Sequence, residues 1–305
     1  MKIKNRLLVY ALNILAMVFW AFSFIWYKDV YQYLQPFTTI LTRLVISAVL
    51  LFIVSASIGK LQKINFRDFK LILGLALFEP FLYFVGESLG MQLVTPTTGA
   101  VIIALIPLLV PIFAYLFLKE RLSVKNIVGV LLSFFGVLLV IVTRNFELAA
   151  SSKGLMLMGL AVVAAIFYSI LLKRLTDLYN PLTLIAWQNL IGAILFLPLV
   201  LFFDIKDWNS GMISIGSLIP ILKLAIFASS FAFLFYSNAV QVLGAVRANI
   251  FTNLIPVFTA TFSFVFLNEK LIFQNILGIV LVIVGLVLSQ VNSLNRIKEK
   301  FANRK

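Results

Sequence analysis

Apolar and polar positions along this chain fall into long blocks rather than short periods. Apolar runs occupy 7–27, 37–58, 71–90, 97–118, 124–142, 154–172, 182–203, 217–239, 246–267 and 273–291, and the short stretches between them carry most of the charged residues. A helix rises 1.5 Å per residue, so about 20 apolar residues cross a hydrocarbon core of about 30 Å. The pattern predicts ten transmembrane helices joined by short loops, an all-α integral membrane fold without a sizeable soluble domain. Lys2, Lys4 and Arg6 precede the first run as they would in a signal peptide. That run is long for a signal core, holds Trp20 and Trp26, and ends without a small-x-small cleavage site, so it reads as the first span.

Composition agrees. The 305 residues are 62% hydrophobic and 12% charged, against about 25% charged in soluble domains. Cysteine and histidine are both absent. This excludes disulfides and thiolate chemistry and removes the commonest metal ligand and general base, so neither a metal nor a cofactor is expected. The net charge of +14 does not point to nucleic acid, because the basic residues sit in short loops between apolar runs. It reads instead as an excess of Lys and Arg on cytoplasmic loops. With alternate loops assigned to opposite sides, 18 basic residues fall on the side of both termini and 6 on the other, and Arg43 lies within a span. The expectation is a multi-pass protein of the cell membrane with both termini cytoplasmic.

The chain repeats itself. Leu105–Leu139 and Leu254–Leu288 align without a gap at an offset of 149, with 14 of 35 pairs identical. The matches include Pro107/Pro256, Glu120/Glu269, Asn126/Asn275, Gly129/Gly278 and Gly136/Gly285. Upstream the same offset pairs Ser88 with Ser237 and Gln92 with Gln241, and nearer the N-terminus an offset of 145 pairs Lys28 with Lys173 and Pro36 with Pro181. Shared apolar composition does not account for matched Pro, Glu, Asn and Gly in one register. Two five-helix units are expected, 1–145 and 146–305. Five is odd, so tandem units must sit in the membrane with opposite orientations. Inverted repeats recur in secondary transporters, which bind substrate near the midplane between the halves.

The pattern Pro107 … Leu118-Lys119-Glu120-Arg121-Leu122 … Gly129 … Gly136, repeated as Pro256 … Leu267-Asn268-Glu269-Lys270-Leu271 … Gly278 … Gly285, resembles the EamA-type drug/metabolite transporters. The Trp20 segment and Arg43 are similar too, although Ala21 stands where many relatives carry Gly. The resemblance covers nearly the whole chain. It implies ten helices, cytoplasmic termini and secondary transport of small molecules, often export of amino acids or related metabolites. A membrane-embedded enzyme and a receptor or assembly protein without flux are the alternatives. No metal cluster, nucleophile elbow or phosphate-binding GxxxxGK[ST] loop favours the enzyme. The sequence leaves open whether the chain forms a homodimer.

Charged groups inside spans are the sharpest functional signal, since each costs about 2.5–3.5 kcal/mol at a helix centre on insertion scales. Arg43, Glu79 and Glu87 qualify. Glu79 and Glu87 are eight residues apart, a spacing that puts both on one helix face. Arg43 is expected at the depth of Glu87. The reading is an Arg43–Glu87 pair, serving the pathway or only locking two helices, with Glu79 as the free, titratable group. Glu79 would couple protons to substrate movement or hold a substrate ammonium, unless it is a structural carboxyl without a coupling role. Trp20, Tyr83, Tyr168, Gln188, Asn189, Asn238, Asn249 and Asn253 fill out the candidate pathway, each Asn reading equally as glue between helices. Pro80, Pro107, Pro111, Pro198 and Pro256 lie within spans, where proline removes a backbone donor; Pro107 and Pro256 are expected to kink their helices beside the path. Glu120 and Glu269 read as structural residues at the membrane edge, Glu120 beside the Ser123 N-cap. The expected partners are the bilayer and a small-molecule substrate.

Overall fold

The structure is a computed structural model that describes residues 3–110, 113, 124–141, 150–207, 215–268 and 272–302. Pro111, Lys119, Glu120, Arg121, Ser123, Arg144, Glu269 and Lys270 lie outside the described residues.

The described residues form ten helical segments. These are α1 (Ile3–Val30), α2 (Pro36–Ser57), α3 (Phe66–Gly90), α4 (Pro96–Val110), α5 (Val124–Ile141), α6 (Ser152–Thr176), α7 (Pro181–Asp204), α8 (Ile215–Leu243), α9 (245–267) and α10 (Phe273–Ala302). Six of them, α1–α3 and α6–α8, are each long and apolar enough to cross a membrane; the other four hold shorter apolar stretches, Pro96–Val110, Ile127–Gly136, Phe251–Leu267 and Phe273–Gly285. The helix starts are written in the sequence. Pro36, Pro96 and Pro181 open α2, α4 and α7, where a missing N–H costs nothing. Asn65, Thr95, Ser151 and Asn180 cap α3, α4, α6 and α7 by accepting from backbone N–H groups two or three residues on.

The two five-helix units interlock rather than stand side by side. α2 packs on α7, α4 on α9 and α5 on α10, while α1 crosses to α8 and α3 to α6. Exchanging the units, α1 for α6 and so on through α5 for α10, maps this set of pairings onto itself. Lipid-facing positions remain apolar, as with Val49 and Ile53 on α2 and Val280 and Val284 on α10.

Glycines set the closest contacts. A methyl group built on Gly136 of α5 would lie 2.6 Å from the Gly278 carbonyl oxygen and 2.7 Å from the Val282 nitrogen of α10. Only a hydrogen fits, and the small residue lets the two helices approach closely. On α7, a methyl on Gly192 would overlap the Pro80 ring of α3.

Four helices are interrupted near the middle of the molecule. α3 runs regularly to Ala76, then passes through a π-helical segment, Leu77–Leu82, in which Glu79 itself is extended (φ −145°, ψ 119°) and Pro80 follows through a cis peptide. α8 carries a longer π-helical segment, Leu224–Ala232. α4 leaves its helix at Ala104 and Leu105, three and two residues before Pro107. α9 passes through a 3-10 turn, Phe251–Asn253, just before Pro256. At an offset of 149 the interruption in α4 falls on Asn253 and Leu254, so the two proline helices break at matching places.

Candidate functional site

The helix interruptions surround a cavity between the two units. The first unit contributes Trp20, Ser23 and Phe24 from α1, Arg43 from α2, Glu79, Tyr83, Phe84 and Glu87 from α3, and Ile103 and Ile106 from α4. The second unit contributes Ala165, Tyr168 and Ser169 from α6, Phe233 and Tyr236 from α8, and Asn249, Thr252 and Ile255 from α9. Most of these are repeat equivalents of one another. An offset of 145 pairs Trp20 with Ala165, Ser23 with Tyr168 and Phe24 with Ser169; an offset of 149 pairs Phe84 with Phe233, Glu87 with Tyr236, Ile103 with Thr252 and Ile106 with Ile255. Phe84 and Phe233 also meet each other edge to face, centroids 6.3 Å apart, as residues near a two-fold axis should.

The chemistry of the wall is not symmetric. Its three charged groups, Arg43, Glu79 and Glu87, all come from the first unit. At the matching positions the second unit has Gln188, Ala228 and Tyr236.

Arg43 is 1% exposed. Its Nε donates to Ser229 Oγ at 2.7 Å, and its Nη1 donates to the Tyr27 hydroxyl at 2.6 Å. The guanidinium also lies over the Phe84 ring, 4.6 Å from the centroid, a favourable placement for a cation. Tyr27 in turn donates to Glu87 Oε2 at 2.9 Å, and Tyr83 donates to Glu87 Oε1 at 2.9 Å. Arg43 and Glu87 are therefore joined through a phenol, which replaces the direct pair expected from sequence; no ion pair between them is formed within 4.0 Å among the described residues. The relay satisfies both buried charges and bonds α2 to α8 through Ser229. Ser47 hydrogen-bonds Ser230 at 2.7 Å, and Asn189 donates to Ser47 at 2.7 Å and to the Ser229 carbonyl at 3.2 Å, extending the same helix contact.

Glu79 differs from Glu87. It lines the cavity, is 7% exposed, and makes no hydrogen bond or ion pair among the described residues. The local backbone explains its position. Pro80 cannot donate to the helix ladder, and the extended conformation at Glu79 turns its side chain off the regular α3 face.

Of the other residues singled out from sequence, Trp20, Tyr83, Tyr168 and Asn249 are on the cavity wall. Trp20 packs against Phe233 and Tyr236, ring centroids 5.2 Å from each. Tyr236 donates to Asn249 Oδ1 at 2.9 Å, which leaves the buried Asn249 Nδ2 without an acceptor. The Tyr168 hydroxyl, the Gln188 amide and the Ser237 hydroxyl are buried neighbours, yet none makes a hydrogen bond of good geometry. Asn238 is half-buried on α8 and off the wall, and Asn253 is buried behind it with both amide atoms unpartnered. Pro107 and Pro256 are buried just beyond Ile106 and Ile255 of the wall. Tyr27, Tyr236 and Ser229 were not legible beforehand. Tyr27 carried one available signal, since it lies seven residues beyond Trp20, on the same face of α1.

The model of the EamA-like transporter family matches this chain twice, over residues 7–142 and 152–290. The chain belongs to that family, and its fold is the family's ten-helix arrangement of two inverted five-helix repeats. An uncharacterized transporter of Archaeoglobus fulgidus is 29% identical over 274 residues, covering 89% of this chain and 95% of that protein. The uncharacterized transporter YyaM of Bacillus subtilis is 31% identical over 201 residues, 65% of each chain. A crystal structure of a protein 16% identical superposes with a TM-score of 0.71, covering 92% of this chain and 98% of that one; at that identity the likeness is one of fold. The protein is a multi-pass membrane transporter.

Proposed function

We propose that the protein moves a small metabolite, an amino acid or a related amine-bearing compound, out of the cell across the cytoplasmic membrane by alternating access, in exchange for protons. The units 1–145 and 146–305 are the bodies that rock about the central cavity, with both termini in the cytoplasm. The observation that carries this reading is the unpartnered Glu79 carboxylate on the wall of a cavity built from both units.

Glu79 takes either a proton or the ammonium group of a substrate, and not both together. Arrival of the substrate from the cytoplasmic side displaces the proton inward. Rebinding of a proton from the outer side releases the substrate there. Arg43 and Glu87 do not take part in the exchange because each is already held by Tyr27. Trp20 and Tyr236 supply aromatic faces for the body of the substrate, and Asn249 Nδ2 supplies a free donor for an acceptor at its far end. The breaks before Pro107 and Pro256 give α4 and α9 matched points at which to bend.

The test is counterflow and proton-driven flux in proteoliposomes, with substrates chosen by a growth screen of amino acids and toxic analogues. Glu79→Gln is expected to abolish proton-driven flux while leaving the melting temperature close to that of the wild type. Wild-type flux with wild-type pH dependence in that variant would overturn the role of Glu79.

A further inference from the structure

We infer that a groove beside the loop joining α2 to α3 is a binding site for an anionic phospholipid of the adjoining leaflet. The walls of the groove include Leu61, Lys63, Phe66 and Phe69 of the first unit and Trp187 of the second. The distribution of basic residues puts this end of the molecule in the cytoplasm.

Three observations meet here. The first is charge. Lys60, Lys63, Arg67 and Lys70 lie within eleven consecutive residues, all are exposed, and none makes an ion pair or side-chain hydrogen bond among the described residues. The single carboxylate of this stretch, Asp68, accepts from the Tyr179 hydroxyl at 2.7 Å. Burial pushes the Tyr179 phenol above its ordinary value, so it remains a donor through the physiological range. The excess positive charge faces outward with no internal anion to meet it.

The second is apolar surface in the same place. Phe66 is 89% exposed, and Phe69 and Trp187 continue the wall towards the span of α7. A soluble anion would cover the cations and leave these rings bare. A phospholipid covers both, its phosphate against Lys63 and Arg67 and an acyl chain along Phe66, Phe69 and Trp187.

The third is preorganisation. The loop is tied to the second unit by its backbone. Gln62 N donates to Thr183 Oγ1, Asn65 N donates to the Tyr179 hydroxyl, and the Lys60 carbonyl accepts from Asn180 and Thr183. The groove is thus held open by contacts between the two units, and an occupant bridges them.

The experiment uses the full chain in phosphatidylcholine nanodiscs carrying a small fraction of either phosphatidylglycerol or phosphatidylcholine with brominated acyl chains, and reads tryptophan fluorescence. In the wild type, brominated phosphatidylglycerol is expected to quench more strongly than brominated phosphatidylcholine at equal mole fraction. The excess should vanish in Trp187→Phe, in Lys63→Gln/Arg67→Gln, and in the wild type at high salt, which requires no variant. Equal quenching by both lipids, an excess that survives high salt or the double substitution, or an excess abolished by free inorganic phosphate would overturn the proposal.

Discussion

Tyr27→Phe isolates one oxygen atom in the charged relay. The ring, its 5.2 Å contact with Tyr31 and its buried packing are retained; only the hydroxyl between Arg43 and Glu87 is lost. That hydroxyl accepts from a guanidinium at 2.6 Å and donates to a carboxylate at 2.9 Å. Hydrogen bonds to charged groups contribute about 1.5–3 kcal/mol each, whereas neutral interhelical bonds within membranes average about 0.6 kcal/mol and reach about 1.7 kcal/mol. Two charge-assisted bonds at a site this buried place the expected loss at about 2–4 kcal/mol. Tyr83→Phe is the internal reference. It removes one bond to the same carboxylate and leaves Arg43 untouched, for a loss of about 1–2 kcal/mol. Reversible unfolding in mixed micelles titrated with dodecyl sulfate, followed by helical circular dichroism, gives both values. If Tyr27→Phe costs no more than Tyr83→Phe, the hydroxyl does not join the two charges and the relay is wrong.

Two further substitutions probe the same architecture. Arg43→Gln, which installs the residue found at the matching position 188 of the second unit, leaves Glu87 buried without a cation and should cost about 3–5 kcal/mol. Adding Glu87→Gln should recover most of that loss in the same unfolding assay, and a double variant as unstable as the single one would refute the compensation. Gly136→Ala drives a methyl into the backbone of α10 and should destabilise by about 1–3 kcal/mol, read as a lower melting temperature in detergent; an unchanged melting temperature would mean that α5 and α10 are not in that contact.

The spans and the duplication were legible because both rest on composition and register, which survive in a one-dimensional string. The company of Glu79, Glu87 and Arg43 followed from helical spacing and the cost of charge in lipid. The breaks before Pro107 and Pro256 followed from proline chemistry. The route by which Arg43 reaches Glu87 did not. Tyr27 and Ser229 reach Arg43 from α1 and α8, and apart from the place of Tyr27 on the Trp20 face nothing in their local sequence distinguishes them from the many other Tyr and Ser residues of the chain. The geometry at Glu79 was hidden for a different reason. The eight-residue spacing of Glu79 and Glu87 treats the helix as continuous through Pro80, whereas Glu79 is extended and the Pro80 ring lies against Gly192 of α7, more than a hundred positions away. Asn238 shows the converse failure, a polar residue in a span that the rotation of α8 carries away from the cavity.

The mismatch between Glu79 and its counterpart Ala228 has a consequence for energy conversion. A duplicated cavity with a carboxylate at both positions would exchange two charges per cycle. In the exchange proposed above, Glu79 is the one exchangeable acid on the wall among the described residues, so at most one proton would be traded for each substrate carried. Under that proposal the ratio would cap the accumulation the protein can drive. For a monovalent cationic substrate the exchange moves no net charge, so the membrane voltage drops out and only the pH difference sets the limit.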